Sequence, residues 1–369
     1  MVVVREFFLL LLLCPLLLSG VHAEALYESI GEITGADALQ NALPEEERGL
    51  GGTLTLDGSY DVGGAVARLG KAVRTRFSAR LRAELGAAVP LLGIALVCAL
   101  SSALVDTGEM RALIDRAGCC AAALLGTRSL DSLLESAREI LERFSAWSTL
   151  GLPAVFTAAA ASGAIASASA RYAAACLALD VLMTLSQRLA LPLVCLYIAL
   201  AVSLSLCENS ILQALLDVSR WAVTTGLTVL TIAFGGYLSL TGLLAGSADA
   251  LTLKATKTVL ARSLPVVGGL LSDSAGVLLS AASVVKNSLG VFALVSVCAL
   301  CVVPLTLYAA KLLVYRAVAA CVGFLREARL PALIGRLGTA FGMLLGLIGC
   351  NACMLFLAIV SGIRAAGPP

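Results

Sequence analysis

Residues 337–363 read LGTAFGMLLGLIGCNACMLFLAIVSGI, and this stretch decides the fold. It contains 27 residues without a single charged side chain. A helix needs about 20 consecutive apolar residues to cross the hydrocarbon core of a bilayer. The stretch exceeds that length, so it predicts a transmembrane helix near the C-terminus.

Five more segments also meet this standard and predict further spans: residues 87–105, 149–170, 189–207, 221–246 and 287–310. Three segments are shorter or carry a charge, as expected for half-helices, re-entrant loops or buried spans: 112–126, 264–285 and 312–325. We therefore predict an all-α protein, a polytopic transmembrane helical bundle of about six to eight spans, some of them broken or re-entrant.

The composition supports a membrane protein and argues against several other classes. Charged residues make up 14% of the chain, and the net charge is +2. Soluble domains average about 25% charged residues, and nucleic-acid binding needs a basic surplus. We therefore expect no nucleic-acid partner. The single histidine, His22, disfavours histidine-based chemistry, and we expect no metal and no cofactor. The twelve cysteines lie mostly in apolar stretches, where they serve as small packing residues.

The N-terminal region divides into two predicted parts, which precede a transmembrane domain at 87–363 and a short tail at 364–369. Residues 1–23 have the charged start, apolar core and small-residue cleavage site of a signal peptide. An uncleaved signal anchor is the alternative. Residues 24–86 form an extracytoplasmic polar segment that ends in a basic amphipathic helix, 65–85. That helix suits a membrane surface or a partner, or it is a solvated lead-in to the first span.

The orientation prediction comes from two basic stretches, residues 247–262 and 311–336, which should both be cytoplasmic. They share a side only if an even number of crossings separates them. We therefore expect residues 264–285 and 287–310 to cross the membrane separately. A cleaved signal peptide places the basic helix at 65–85 outside the cell, against the positive-inside bias.

An internal duplication is suggested by two proline pairs with an offset of 112 residues. Pro153 aligns with Pro265, and Pro192 aligns with Pro304. The repeats would span about 138–207 and 250–319. Transporters with repeated, broken helices show such a pattern, although two matching pairs also arise by chance.

The densest polar site in the apolar sequence lies between residues 263 and 290. Pro265, Gly268 and Gly269 would break the helix, and Asp273 and Lys286 would line a path. Asp273 acting as a helix cap is the alternative. Secondary candidates are Asp180, which could also lie in a loop between spans, and the prolines Pro153, Pro192 and Pro304. The motifs HExxH, GxSxG and Walker A do not occur, so we expect no enzyme and no catalytic residues.

The block PVVGGLLSD at 265–273, followed by KNSLG at 286–290, resembles the stage III sporulation protein AE family. The resemblance implies a non-enzymatic subunit of a secretion or transport channel complex of endospore-forming bacteria. It implies a location in the mother-cell membrane that surrounds the forespore. The implied partners are other membrane subunits of the same complex, a separate ATPase subunit and a forespore-side protein. The alternative function is an independent secondary transporter that uses Asp273 or Asp180.

Overall fold

The computed structural model describes residues 49–50, 60–127, 130–162, 165–207, 209–263, 268–324 and 329–364. Among these residues the regular structure is helical, with eight long α-helices and one π-helical turn. In chain order they are α1 (Val62–Ala103), α2 (Gly108–Thr127), α3 (Leu130–Ala161), α4 (Ile165–Leu185), the π turn (Ser186–Ala190), α5 (Leu191–Leu206), α6 (Ser210–Ser263), α7 (Gly268–Gly323) and α8 (Arg329–Ile363). The predicted signal peptide at 1–23 lies outside the described residues.

Six helices in the described part of the chain are long and apolar enough to cross a membrane, which confirms the predicted fold class. Their ranges are Val62–Ala103, Ser132–Ala161, Ala168–Leu206, Ser210–Leu238, Asn287–Gly323 and Arg329–Ile363. In α7 and α8, 78% and 72% of the most apolar window is buried, against 22% in α1 and 17% in α6. The centre of the bundle is therefore the α7–α8 pair.

The α7–α8 pair is antiparallel, and α1 runs parallel to α7. The Tyr315 ring packs edge-on against Phe341 at 4.8 Å. Gly290, near the other end of the pair, lies against Ile363. On α1, the Tyr60 ring contacts Phe292 at 5.6 Å. The two contact regions define the ends of the bundle: the Tyr60 end, with Gly290 and Ile363, and the Lys311 end, with Tyr315 and Phe341.

The predicted span at 149–170 is wrong, because two helices share those residues. Helix α3 ends at Ala161 and α4 begins at Ile165. The sequence between them contains Ser162 and Gly163, residue types that favour helix ends over helix interiors. Hydropathy alone could not place this boundary, since the apolar small residues continue on both sides of it.

The predicted pair of crossings at 264–285 and 287–310 is also wrong. Helix α7 is continuous from Gly268 to Gly323, so Lys286 and Asn287 lie inside one helix. Residues 312–325 likewise begin as a continuation of α7. Helix α6 runs parallel to α8, because Thr231 lies beside Cys350 and Gly235 lies beside Leu357. Residues 247–262 therefore follow at the Tyr60 end. The basic stretch at 311–336 lies at the Lys311 end, and the two stretches do not share a side.

The predicted basic amphipathic helix is the first half of α1 and is continuous with the span that follows it. Its apolar side chains are half-buried and face the bundle: Val66, Leu69, Val73, Phe77 and Leu81. Ala65 is fully buried. This half of α1 therefore docks on the same chain, along α7, and is not a separate helix.

Candidate functional site

The site predicted from the sequence falls largely at the start of α7. Pro265 lies outside the described residues. Gly268 and Gly269 are the first two residues of α7, and Asp273 and Lys286 follow in the same helix, with side chains outside the description. An N-cap residue flanks the first helical position. Asp273 is five residues beyond that position, so it does not cap the N-terminus of α7.

An ion pair between Asp273 and Lys286 is incompatible with this helix. The two residues are 13 positions apart in one continuous α-helix. A rise of about 1.5 Å per residue separates them by about 20 Å along the axis. An ion pair between them within one chain is therefore excluded. Whether Gly268, Gly269 and Asp273 line a path stays a prediction.

The secondary candidates lie inside helices. Asp180 is in α4 and not in a loop, and its side chain is exposed on the outside of the bundle. Pro153 lies within α3, where the Thr157 hydroxyl donates to the Pro153 carbonyl at 2.8 Å. Pro304 is buried within continuous α7. Pro192 is the second residue of α5, directly after the π turn. The proposed duplication stays a prediction, since Pro265 cannot be compared with Pro153.

A polar contact inside the bundle was missed by the sequence reasoning. It joins Asn351 of α8 to Ser186, the first residue of the π turn, and both side chains are fully buried. The Asn351 amide donates from Nδ2 to Ser186 Oγ at 2.8 Å and to the Leu347 carbonyl at 2.8 Å. The contact ties the irregular turn to the central helix of the fold.

The π turn at 186–190 has a local cause in Pro192. Proline has no N–H, so one carbonyl in the preceding turn loses its usual helical donor. The wider turn absorbs this defect, and the Leu191 N–H bonds to the Ser186 carbonyl in place of an i−4 partner. Single π turns inside α-helices occur frequently at functional sites. The position is therefore a natural place for helix movement or for ligand contact.

The Asn351 side chain has one unsatisfied group. Its Oδ1 atom is buried and has no hydrogen-bond partner among the residues that the structure describes. An unpaired buried acceptor costs roughly 1–3 kcal/mol, so proteins seldom keep one without use. The arrangement can accept a hydrogen bond from a water molecule, a solute or a rearranged side chain. The signal in the sequence is that Asn351 is the one amide side chain among the 27 uncharged residues at 337–363.

Further polar contacts link α8 to its neighbours on this side of the bundle. Thr339 lies within hydrogen-bonding reach of Tyr197. Thr231 lies within hydrogen-bonding reach of the Cys350 thiol. The Arg171 guanidinium donates from Nη1 to the Ser361 carbonyl at 2.7 Å. Polar groups thus occur along the whole length of α8, where it meets α4, α5 and α6.

A buried ion pair holds α1 against α7 at the Lys311 end. Lys311 Nζ lies 2.8 Å from Glu84 Oε2, and the two side chains are 10% and 12% exposed. The ammonium also lies 5.8 Å from the centre of the Phe341 ring. In this arrangement Lys311 connects three helices: α1, α7 and α8.

The described residues offer no metal centre. No group of three or more His, Cys, Asp and Glu side chains that could hold a metal ion occurs among them. The chemistry available at the described polar contacts is hydrogen bonding and ion pairing. These contacts suit helix positioning and solute contact.

Comparison with known proteins agrees with this architecture. The family model described as stage III sporulation protein AE matches residues 58–366, which include all six membrane-capable helices. Stage III sporulation protein AE of Bacillus subtilis (strain 168) is 23% identical over 168 residues, which are 46% of this chain and 42% of that protein. The match thus spans less than half of the relative's length. No solved structure matches the chain. Because the family match covers far more than half of the sequence, the chain belongs to the stage III sporulation protein AE family.

Proposed function

We propose that this protein is a non-enzymatic membrane subunit of a sporulation-specific channel complex between mother cell and forespore. The observation that carries the proposal is the family match, which covers the whole membrane-capable region of the chain. Its place is the mother-cell membrane that surrounds the forespore. Cargo would pass from one cell to the other through the assembled complex.

The architecture suits a subunit that works by assembly. Large apolar side chains are exposed on α1 beyond Glu84, including Leu85, Val89, Val97 and Leu100. Exposed apolar side chains on a membrane helix meet either lipid or another membrane protein. The second half of α1 is therefore a candidate contact for the other membrane subunits of the complex.

Other proteins would supply the energy source of the complex and its forespore-side part. The sequence has no Walker A motif that would bind ATP phosphates. An energised complex therefore needs a separate ATPase subunit. A channel between two membranes also needs a partner that reaches it from the forespore side.

Affinity purification from sporulating cells tests the proposal. A tagged full-length chain, extracted in mild detergent after engulfment, should bring down the other membrane subunits and the ATPase. A tagged polytopic protein of unrelated function, expressed at the same level, is the control. Recovery of the chain alone, with unimpaired sporulation in strains that lack the other subunits, would favour an independent secondary transporter.

A further inference from the structure

The first half of α1 carries exposed basic side chains along one side. Arg68, Lys71, Arg74 and Arg82 are exposed, and their spacing places them within an arc of about 120°, since 3.6 residues make one helical turn. We call these four residues the basic face. Glu84 is the only acidic residue of α1 and is already paired with Lys311. Among the residues that the structure describes, the basic face has no ion-pair partner.

A stretch of the sequence shortly before α1 has the opposite charge. Residues 24–47 contain seven acidic residues and no lysine or arginine, so their net charge is −7. We call residues 24–47 the acidic segment. Its acidic residues are Glu24, Glu28, Glu32, Asp37, Glu45, Glu46 and Glu47. The charge of the acidic segment is thus large enough to neutralise the whole basic face.

The chain between the two is long enough for them to meet. Asp61 fixes the start of α1, because its side chain accepts a hydrogen bond from the Gly64 N–H at 2.9 Å. Fifteen residues lead from Glu47 to Val62, and they can span up to about 50 Å. The basic face lies about 9–30 Å from the start of the helix, at a rise of about 1.5 Å per residue. Its full length is therefore within reach of the glutamates at 45–47.

The acidic segment is also on the correct side of the membrane in either orientation of the protein. Between residues 24 and 68 no apolar stretch has the roughly 20 residues that a crossing needs. The acidic segment and the basic face therefore share one compartment. A short covalent connection gives two binding groups an effective concentration in the millimolar range. A separate acidic protein would have to compete with a partner that is always present.

Lipid headgroups fit the basic face less well than the acidic segment does. Residues 85–103 of α1 contain no charged side chain and are the membrane-capable part of this helix. The basic face precedes them in the same continuous helix and extends over about 21 Å along the axis. One headgroup layer is only about 5–8 Å thick, so it could cover one end of the basic face and not its whole length.

We propose that the acidic segment at 24–47 docks on the basic face of α1 in the same chain. The attraction comes from charge complementarity between several exposed groups, which together fix a contact that one surface ion pair would not. Any partner with an acidic surface would have to displace the acidic segment in order to reach the basic face. The inference concerns contacts within this chain and is independent of the proposed channel role.

Zero-length cross-linking of the full-length chain in neutral detergent tests the proposal. A water-soluble carbodiimide joins a carboxylate to a lysine amine only where the two groups are in contact. Lys71 is the reporter, since it belongs to the basic face and is the only lysine before Lys254 in the sequence. Mass spectrometry after proteolysis identifies which carboxylates are joined to Lys71. We expect them to be residues of the acidic segment, with the glutamates at 45–47 among them.

Two double variants show whether the basic face causes the contact. Arg68→Gln, Arg74→Gln removes two of its charges and leaves the reactive Lys71 in place. Arg138→Gln, Arg143→Gln removes the same charge from exposed positions of α3 and is the matched control. Since one exposed ion pair changes an equilibrium by about 1.4- to 5-fold, the first variant should lower the cross-link yield about threefold or more. The control should leave the yield unchanged, and added salt should lower it in the wild type.

Other occupants of the basic face would be recognised in the same experiment. Mixing chains labelled with nitrogen-15 and unlabelled chains distinguishes a contact within one chain from a contact between two copies. Cross-links that join labelled to unlabelled chains would assign the basic face to a second copy and overturn the proposal. Loss of the cross-link in phosphatidylglycerol nanodiscs, with retention in phosphatidylcholine nanodiscs, would assign it to lipid headgroups. A wild-type chain without any cross-link from Lys71 to residues 24–47 would also overturn the proposal.

Discussion

The Glu84–Lys311 pair gives the sharpest stability prediction. The perturbation is Lys311→Met, which keeps the length of the side chain and removes its charge. Glu84 would then remain nearly buried, since its side chain is 12% exposed. It would also lose the Lys311 ammonium, which lies 2.8 Å from its carboxylate. Removing one member of a buried ion pair costs about 3–5 kcal/mol, because the other charge stays desolvated.

Two comparisons isolate the pair from the general effect of losing a lysine. Arg316→Met removes a charge from an exposed position five residues further along α7 and should cost less than about 0.5 kcal/mol. The double variant Glu84→Leu, Lys311→Met removes both charges. It should lie close to wild type or above it, as replaced buried pairs often do.

The assay is unfolding in mixed micelles by increasing SDS, followed through tryptophan fluorescence. Trp147 is buried in the core and reports on loss of packing. Equal unfolding midpoints for Lys311→Met and Arg316→Met would refute the reasoning, since the pair would then not hold α1 against α7. A double variant as unstable as Lys311→Met would refute it as well.

Three further predictions follow from packing and polar contacts. Gly346→Ala should stabilise the protein by about 0.5–1 kcal/mol in SDS unfolding, because the added methyl meets open space and alanine is the better helix former. The control Gly362→Ala should not stabilise the protein, since its Cβ would lie 2.9 Å from a Val155 methyl. Asn351→Leu should leave the free energy of unfolding within about 1 kcal/mol of wild type or raise it, because it removes an unpaired buried acceptor. If the contact at the π turn serves function, the same variant should lower spore yield, whereas normal spore yield would make that contact structural. A variant with alanine at four cysteines, Cys298, Cys301, Cys350 and Cys353, should keep normal protein level and spore yield, as expected for packing residues. Loss of spore yield at a normal protein level would instead point to redox or metal chemistry.

The fold class could be predicted because lipid imposes a simple rule on composition and length. Long uncharged stretches, such as residues 337–363, have no other stable solution than membrane helices. Helix ends were harder to predict. The boundary after Ala161 and the continuity of α7 through Lys286 depend on packing between helices, which local hydropathy does not encode.

The polar contacts could not be predicted for a different reason. Asn351 and Ser186 are 165 residues apart in the chain, and no local sequence pattern predicts that their side chains are in contact. Asp180 was singled out as an acidic residue in an apolar run, yet it faces outward from α4. A sequence reveals which polar residues lie in apolar segments, whereas the side of the helix they occupy follows from tertiary packing.

Forespore gene expression after engulfment is the measurement that tests the proposed function most directly. It would be recorded with a fluorescent reporter in an endospore-forming host whose copy of the gene has been replaced by this chain or deleted. We predict that deletion abolishes late forespore expression and that the wild-type chain, at matched membrane level, restores it. Normal late expression and spore yield in the deletion strain would contradict the proposed role.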